Sequence, residues 1–156
     1  MSRNRKEEAV QTALIDHYSK YYRLAFSYVH NEADAMDIVQ EAAYKAILKS
    51  DHLKNVEYVD TWIYRIVVNE AFSLLRKHKE MTDIEDAEVV HEDTYEDVDL
   101  KNAIAELDPR DRTIVTLRFF EEKRLDEIAD ILDENLSTVK SRLYRVMGKL
   151  KIALGD

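Results

Sequence analysis

From Glu8 to about Val29, Val10, Leu14, Tyr18, Tyr21, Ala25 and Tyr28 recur at spacings of three and four. That is the period of one helix face, so the stretch predicts a helix with a core-facing stripe. A second helix is expected from Ala33 to Leu48, with Ala35, Ile38, Val39, Ala42 and Ala46 inward. Its opposite face carries Asp37, Gln40, Glu41 and Tyr44. After the loop "SDHLKNVEY", Asp60 stands where it could cap a third helix running through Lys77. Trp62, Ile63, Ile66, Val67, Ala71, Phe72 and Leu75 are its apolar positions, and Arg65, Asn69, Ser73 and Arg76 form a separate polar stripe.

The C-terminal part repeats the pattern in shorter helices. "LDPRDRTIVTLRFF" places Asp108 as an N-cap and Pro109 at the first helical position, with Ile114, Val115, Leu117 and Phe120 inward. "LDEIADIL" presents Leu125, Ile128, Ala129 and Leu132 on one face. After "DENL", Ser137 is placed to cap a last helix whose inward residues are Val139, Leu143, Val146 and Leu150. Two amphipathic helices joined by a tight turn, the second of them basic, make the helix-turn-helix pattern.

Composition sharpens this reading. Two glycines and one proline in 156 residues leave hairpins and phosphate-cradling loops without their usual turn residues, so the expected class is all-α. With no cysteine there is neither a disulfide framework nor a thiolate metal site, and none of the five histidines is spaced to share a helix face as a ligand pair. No nucleophile stands with a base, so catalysis, cofactor, metal and small-molecule substrate are not expected. The N-terminal residues lack the apolar core of a signal peptide, and no apolar run approaches membrane-spanning length. A cytoplasmic setting is therefore expected.

Charge divides the chain. Between Lys79 and Asp99, ten acids face a single base, so this stretch carries the whole net charge of −9. Weak periodicity and a block of like charge are the composition of a solvated tether. The expected organisation is two small helical domains, residues 1–78 and 100–156, joined by an acidic linker over 79–99.

The last helix has the opposite character: "STVKSRLYRVMGKLK" holds five Lys or Arg and no acid. Lys140, Ser141, Tyr144 and Arg145 share a face opposite the apolar stripe and suit a major groove. Arg pairs with guanine, Ser and Lys reach bases or phosphates, and Tyr contacts a thymine methyl. Ser137 and Thr138, at the helix N-terminus, suit a phosphate. The stripe of Arg65, Asn69, Ser73 and Arg76 has residue types that also bind phosphates and base edges. Bland readings remain beside these: a solvated face for Asp37 to Glu41, and a basic helix docking on an acidic protein.

The segments "DAMDIVQEAAYKAI", "TWIYRIVVNEAFSLLRK" and "LDEIADILDENLSTVKSRLYRV" together resemble, in order and spacing, bacterial sigma factors of the extracytoplasmic-function group. The resemblance implies a factor that binds core RNA polymerase and directs it to double-stranded promoter DNA. It would set Asp37, Gln40 and Glu41, with Ile47 at the margin, against the polymerase clamp. Arg65, Asn69, Ser73 and Arg76 would meet the melted strand of the −10 element, with loop 51–59 as the pocket for an unstacked base. Ser137, Thr138, Lys140, Ser141, Arg142, Tyr144 and Arg145 would lie at the −35 element. An anti-sigma factor, membrane-anchored in many family members, is implied as a further partner. One departure stands out: Asp133 and Glu134 occupy the turn where many members have a glycine and an apolar residue, and Leu136 is expected to supply the turn's core contact. A stand-alone helix-turn-helix repressor and a sigma-like decoy for an anti-sigma factor are the alternatives. The first leaves the faces at Asp37 and Arg65 unused, and the second predicts loss of the DNA-facing residues.

Overall fold

The computed structural model describes residues 2–82 and 96–153. Most of the acidic stretch, including its expected solvated character, lies outside the described residues. Its margins are helical, because α4 continues to Thr82 and α5 begins at Glu96.

The chain folds as α1 (Ser2–Asp16), α2 (Tyr18–Val29), α3 (Glu32–Leu48), two short 3-10 turns at Ser50–His52 and Val56–Tyr58, and α4 (Val59–Thr82). Beyond the acidic stretch come α5 (Glu96–Ala105), α6 (Pro109–Val115) extended by a π turn at Thr116–Phe120, α7 (Leu125–Leu132) and α8 (Leu136–Ala153). Among the described residues there is no strand.

The helix expected over Glu8–Val29 is two helices, broken at His17 with φ −115° and ψ 18°. His17 N–H still bonds to Ala13 at 2.9 Å, and its carbonyl accepts from Lys20 N–H at 3.0 Å. Val10 and Ala13 bury from α1 and Tyr21, Leu24, Ala25 and Tyr28 from α2, while Tyr18 stays exposed. A period of three and four survives such a break, which is why the pattern alone reads as continuous. α3 has the expected inward set, Ala35, Ile38, Val39, Ala42 and Ala46. Asn31 caps it by accepting from Asp34 N–H at 2.8 Å.

Asp60 does not cap α4. It lies in the first turn, where its carboxylate accepts from the Tyr21 hydroxyl at 2.7 Å and from Lys123 Nζ at 2.7 Å. Asp108 does cap α6, accepting from Asp111 N–H at 3.0 Å. Phe120 is exposed rather than inward, because the π turn rotates it off the face of Ile114 and Leu117. α8 is capped by Asn135 instead of Ser137: Asn135 Oδ1 accepts from Thr138 N–H at 2.9 Å. Leu136 is 38% exposed and does not belong to the buried core.

One core runs through both halves of the chain. Ile63, Tyr64, Val67 and Ala71 of α4 belong to the same buried cluster as Ile114, Leu117, Ile128, Ile131 and Leu132. Full burial of each such side chain contributes on the order of 1.5–3 kcal/mol, so this shared layer holds the halves together. A smaller cluster, Leu107, Val115, Val146 and Leu150, joins α6 to α8.

Candidate nucleic-acid interface

Three faces gather the residues singled out above. On α3, the apolar stripe faces α2 and α4, which forces Asp37, Gln40, Glu41, Tyr44 and Ile47 outward, and all five are exposed. A groove of about 400 Å³ runs between this face and α4, lined by Asp37, Gln40, Glu41, Lys45, Glu70 and Ser73 among others. Lys45 pairs with Glu70 across its floor.

The second face lies where α4 meets the loop before it. A cavity of about 730 Å³ is lined by His52, Lys54, Tyr58, Trp62, Arg65 and Asn69 on that side. His52, Leu53, Lys54, Asn55 and Tyr58 of loop 51–59 line this cavity together with Arg65 and Asn69. The polar stripe of α4 is divided, however. Ser73 lines the α3 groove instead, and Arg76 is exposed and lines neither. A helix turns about 100° per residue, so two steps of four carry Ser73 about 80° round the axis from Arg65, whereas Arg76, back within about 20° of Arg65, lies roughly 16 Å further along the axis. The spacing pattern places Trp62 only among the apolar positions of α4 and singles out neither it nor Tyr58. An aromatic pair four residues apart at a loop-to-helix junction is the signal that could have found them.

The opposite wall of this cavity comes from the other half of the chain: Ala129, Asp130, Asp133 and Glu134 of α7 and its turn. Arg65 Nη2 stands 3.8 Å from Asp133 Oδ1. With both side chains largely in water, that pair contributes little to stability, but it sets acids over a basic face.

Other contacts tie α6 and the segment before α7 to the first half of the chain. Arg23 donates to both oxygens of Glu121, at 2.6 and 3.2 Å, and the Glu121 side chain is 1% exposed. Lys123 joins Asp60 and lies 5.1 Å over the Tyr64 ring. The Tyr28 hydroxyl bonds the Thr113 hydroxyl in a buried site. Burial, and then the charge and hydrogen bond of Asp60, push the Tyr21 hydroxyl far above the usual tyrosine range, so it remains a donor.

The third face is α8. Val139, Val146 and Leu150 are buried, so Lys140, Ser141, Tyr144 and Arg145 point out together and are all exposed. The N-terminal turn is already engaged: the Ser137 and Thr138 hydroxyls donate to Asn135 Oδ1, each at 2.8 Å, and Thr138 N–H is taken by the cap. A phosphate there would compete with Asn135.

Arg142 turns back into the protein. Its guanidinium reaches Asp111 at 3.0 Å, Glu134 at 3.6 Å and Asp108 at 3.9 Å. The Asp111 hydrogen bond is the main reason that the Arg142 guanidinium holds its proton more firmly than usual. Partial burial works against ionisation of Asp108. Its bonds from Asp111 and the charge of Arg142 outweigh that and hold its carboxyl below the ordinary range.

The turn between α7 and α8 explains the departure noted in the sequence. Asp133 takes the left-handed conformation, φ 55°, that favours glycine. Glu134, where an apolar residue is usual, is half-buried and binds Arg110 at 2.6 Å. An ionic contact stands where an apolar one would otherwise fix the turn.

An apolar groove of about 530 Å³, lined by Leu100, Ile104, Phe119, Phe120 and Met147 among others, opens beside α8. The spacing of apolar residues does not point to it, because that spacing sets Phe120 inward. No group of three or more metal-ligating side chains exists among the described residues.

Comparison with known proteins gives the family. Residues 7–81 match the model for sigma-70 region 2, and residues 97–150 match that for sigma-70 region 4. RNA polymerase sigma factor SigV of Bacillus subtilis is 45% identical over 148 residues, covering 92% of this chain and 89% of that protein. ECF RNA polymerase sigma factor SigW of the same organism is 30% identical, covering 92% and 88%. Among solved structures, the sigma factor RpoE in complex with the anti-sigma factor NepR, from Bartonella quintana, shares the fold with a TM-score of 0.77 at 22% identity, covering 92% of this chain and 95% of that one. Two region models matched in order, a relative of nearly half identity along nearly the full length, and exposed faces on α3, α4 and α8 lead to one conclusion: this chain belongs to the sigma-70 family, as an extracytoplasmic-function sigma factor, a non-enzymatic factor for transcription initiation.

Proposed function

We propose that the three faces divide the work of initiation. Asp37, Gln40, Glu41 and Ile47 on α3 bind core polymerase. Arg65 and Asn69, with Tyr58 and Trp62 at the cavity, take the melted −10 strand, where aromatic rings can stack an unpaired base. Ser73 and Arg76 extend that contact along the backbone. Lys140, Ser141, Tyr144 and Arg145 read the −35 element in the major groove, flanked by Ser137 and Thr138. Residues 1–78 and 100–156 act as the two functional units and 79–99 connects them.

The observation that carries this reading is the shared exposure of Lys140, Ser141, Tyr144 and Arg145 on one face of α8. A decoy that only titrates an anti-sigma factor has no use for it. By kinship with sigma factors found in anti-sigma complexes, this chain is held by an anti-sigma factor and works in the cytoplasm on a stress or cell-envelope regulon. None of the described helices is long and apolar enough to cross a membrane.

Run-off transcription with purified core polymerase on genomic DNA tests the reading. Transcripts whose start sites share a −35 and a −10 element are the expected result. Polymerase binding without any shared upstream sequence would point to the decoy instead.

A further inference from the structure

Arg142 and Arg145 stand three residues apart on α8, and both turn toward one carboxylate on another helix. Arg142 Nη1 donates to Asp111 Oδ1 at 3.0 Å, and Arg145 Nη2 lies 3.4 and 3.5 Å from the two Asp111 oxygens. The Asp111 side chain is 1% exposed, whereas those of Arg142 and Arg145 are 25% and 54% exposed. Asp111 is itself fixed, since its N–H is bound by the Asp108 cap at the start of α6.

The two arginines are held differently. Arg142 also faces Glu134 and Asp108, so three carboxylates occupy it and little of it is left for DNA. Among the described residues Arg145 has only the long contact to Asp111, and it keeps more than half of its side chain in solvent. A free arginine gives up roughly 2 kcal/mol of rotamer entropy when it docks bidentately. A tether that already restrains the guanidinium lowers that loss without blocking its outer edge.

We propose that Asp111 is a specificity-determining positioning residue: it draws Arg142 away from the phosphates and presents Arg145 to the base it reads. The proposal rests on the reading of α8 as the −35 reader. Asp111 touches no DNA, and its effect passes through the two arginines. Its charge also lowers the positive field of α8, so sequence-independent attraction falls while discrimination rises.

The test uses holoenzyme, reconstituted from the full chain and core polymerase, on promoter duplexes substituted singly through the −35 element. Asp111→Asn should reduce discrimination at the base pair read by Arg145 about fivefold to tenfold, within the range that one bidentate contact supplies. Affinity for the substituted duplexes should hold or rise. The slope of log K against log salt should steepen by about one as Arg142 becomes available to a phosphate. Asp111→Glu, which keeps the charge, should restore most of the discrimination. In an Arg145→Ala background, Asp111→Asn should have no further effect at that base pair.

A uniform loss across the panel, with an unchanged salt slope and a lower melting temperature, would show that Asp111 only supports the fold and would overturn the proposal. If Arg145→Ala alone leaves every base preference intact, the failure belongs to the reading of α8. One measurement needs no variant. In the intact chain, side-chain ¹⁵N relaxation should find Arg145 Nε nearly as restricted as Arg142 Nε, and an Arg145 as mobile as Arg76 would overturn the tether.

Discussion

Arg112, on α6, donates through Nη1 to the carbonyl of Tyr28, at the C-terminal end of α2, across 3.2 Å. The same guanidinium reaches the carbonyls of Ser27 at 3.3 Å, Ala105 at 2.5 Å and Leu107 at 2.9 Å. It is 8% exposed, and its bonds go to backbone oxygens at the C-terminal ends of α2 and α5, where helix dipoles favour a cation. Arg112→Ala would leave these carbonyls without their donor, at about 1–3 kcal/mol for each that water cannot reach. Urea unfolding should show a midpoint well below that of the parent chain. Arg112→Lys should recover little, because an ammonium cannot fork between two helix ends. A midpoint unchanged in Arg112→Ala would mean that the clasp is replaced by water at no cost.

The contacts that cross between the halves without serving either alone are the cleanest probe of their packing. Lys123 and Asp60 are 16% and 29% exposed, and Arg23 with Glu121 forms a second bridge. Breaking both with Lys123→Ala and Glu121→Ala should loosen α7 from α4 while each half keeps its own helices. Small-angle scattering should register a larger radius of gyration, with helical circular dichroism nearly unchanged. If scattering and dichroism both stay at parent values, the shared apolar layer alone suffices to hold the halves.

Asp37→Ala with Gln40→Ala tests the α3 face. Both side chains are exposed and opposite the buried stripe, so thermal melting should shift little. Binding to core polymerase should weaken by about 2 kcal/mol or more if these residues form the centre of the contact. An affinity equal to that of the parent chain would return this face to solvent.

His30 offers a pH dependence with a definite sign. It ends α2 in the left-handed conformation, φ 57°, edge-on to the Phe26 ring. Burial first, and then the charge of Arg112, lower its pKa from the ordinary 6.5. The unfolded chain therefore takes up a proton at a higher pH than the folded one. The stabilisation from neutral His30 is present above about pH 6.5 and is lost as pH falls through the lowered folded value. His30→Asn tolerates the left-handed backbone and does not titrate. Its stability should vary less between pH 7 and pH 5 than that of the parent, as read by melting temperature. Parallel pH curves for the two chains would rule His30 out as a contributor.

Much of the fold was legible in the sequence because its information is periodic. Ala35, Ile38, Val39, Ala42 and Ala46 fall on one side of α3, and a helix that buries them exposes Asp37, Gln40 and Glu41 whatever it packs against. The same holds for Val139 and Val146 against Lys140 and Arg145 on α8. A single proline behind a capping aspartate marked the start of α6, since Pro109 has no N–H to satisfy there.

Tertiary structure alone decided what each exposed polar group meets. Asp60 stands where a cap would, yet it answers to Tyr21 and Lys123, 39 and 63 residues away in the chain. Arg142 and Arg145 are both basic residues of one helix that share Asp111, and only the positions of Glu134 and Asp108, which Arg142 alone meets, separate the two. Ser73 leaves the stripe of Arg65 and Asn69 because of where α3 lies. The physical reason is common to these cases. Periodicity reports the face a side chain occupies relative to its own helix axis, whereas hydrogen bonds and ion pairs depend on distances of a few ångströms between helices, which only the packing of both halves sets.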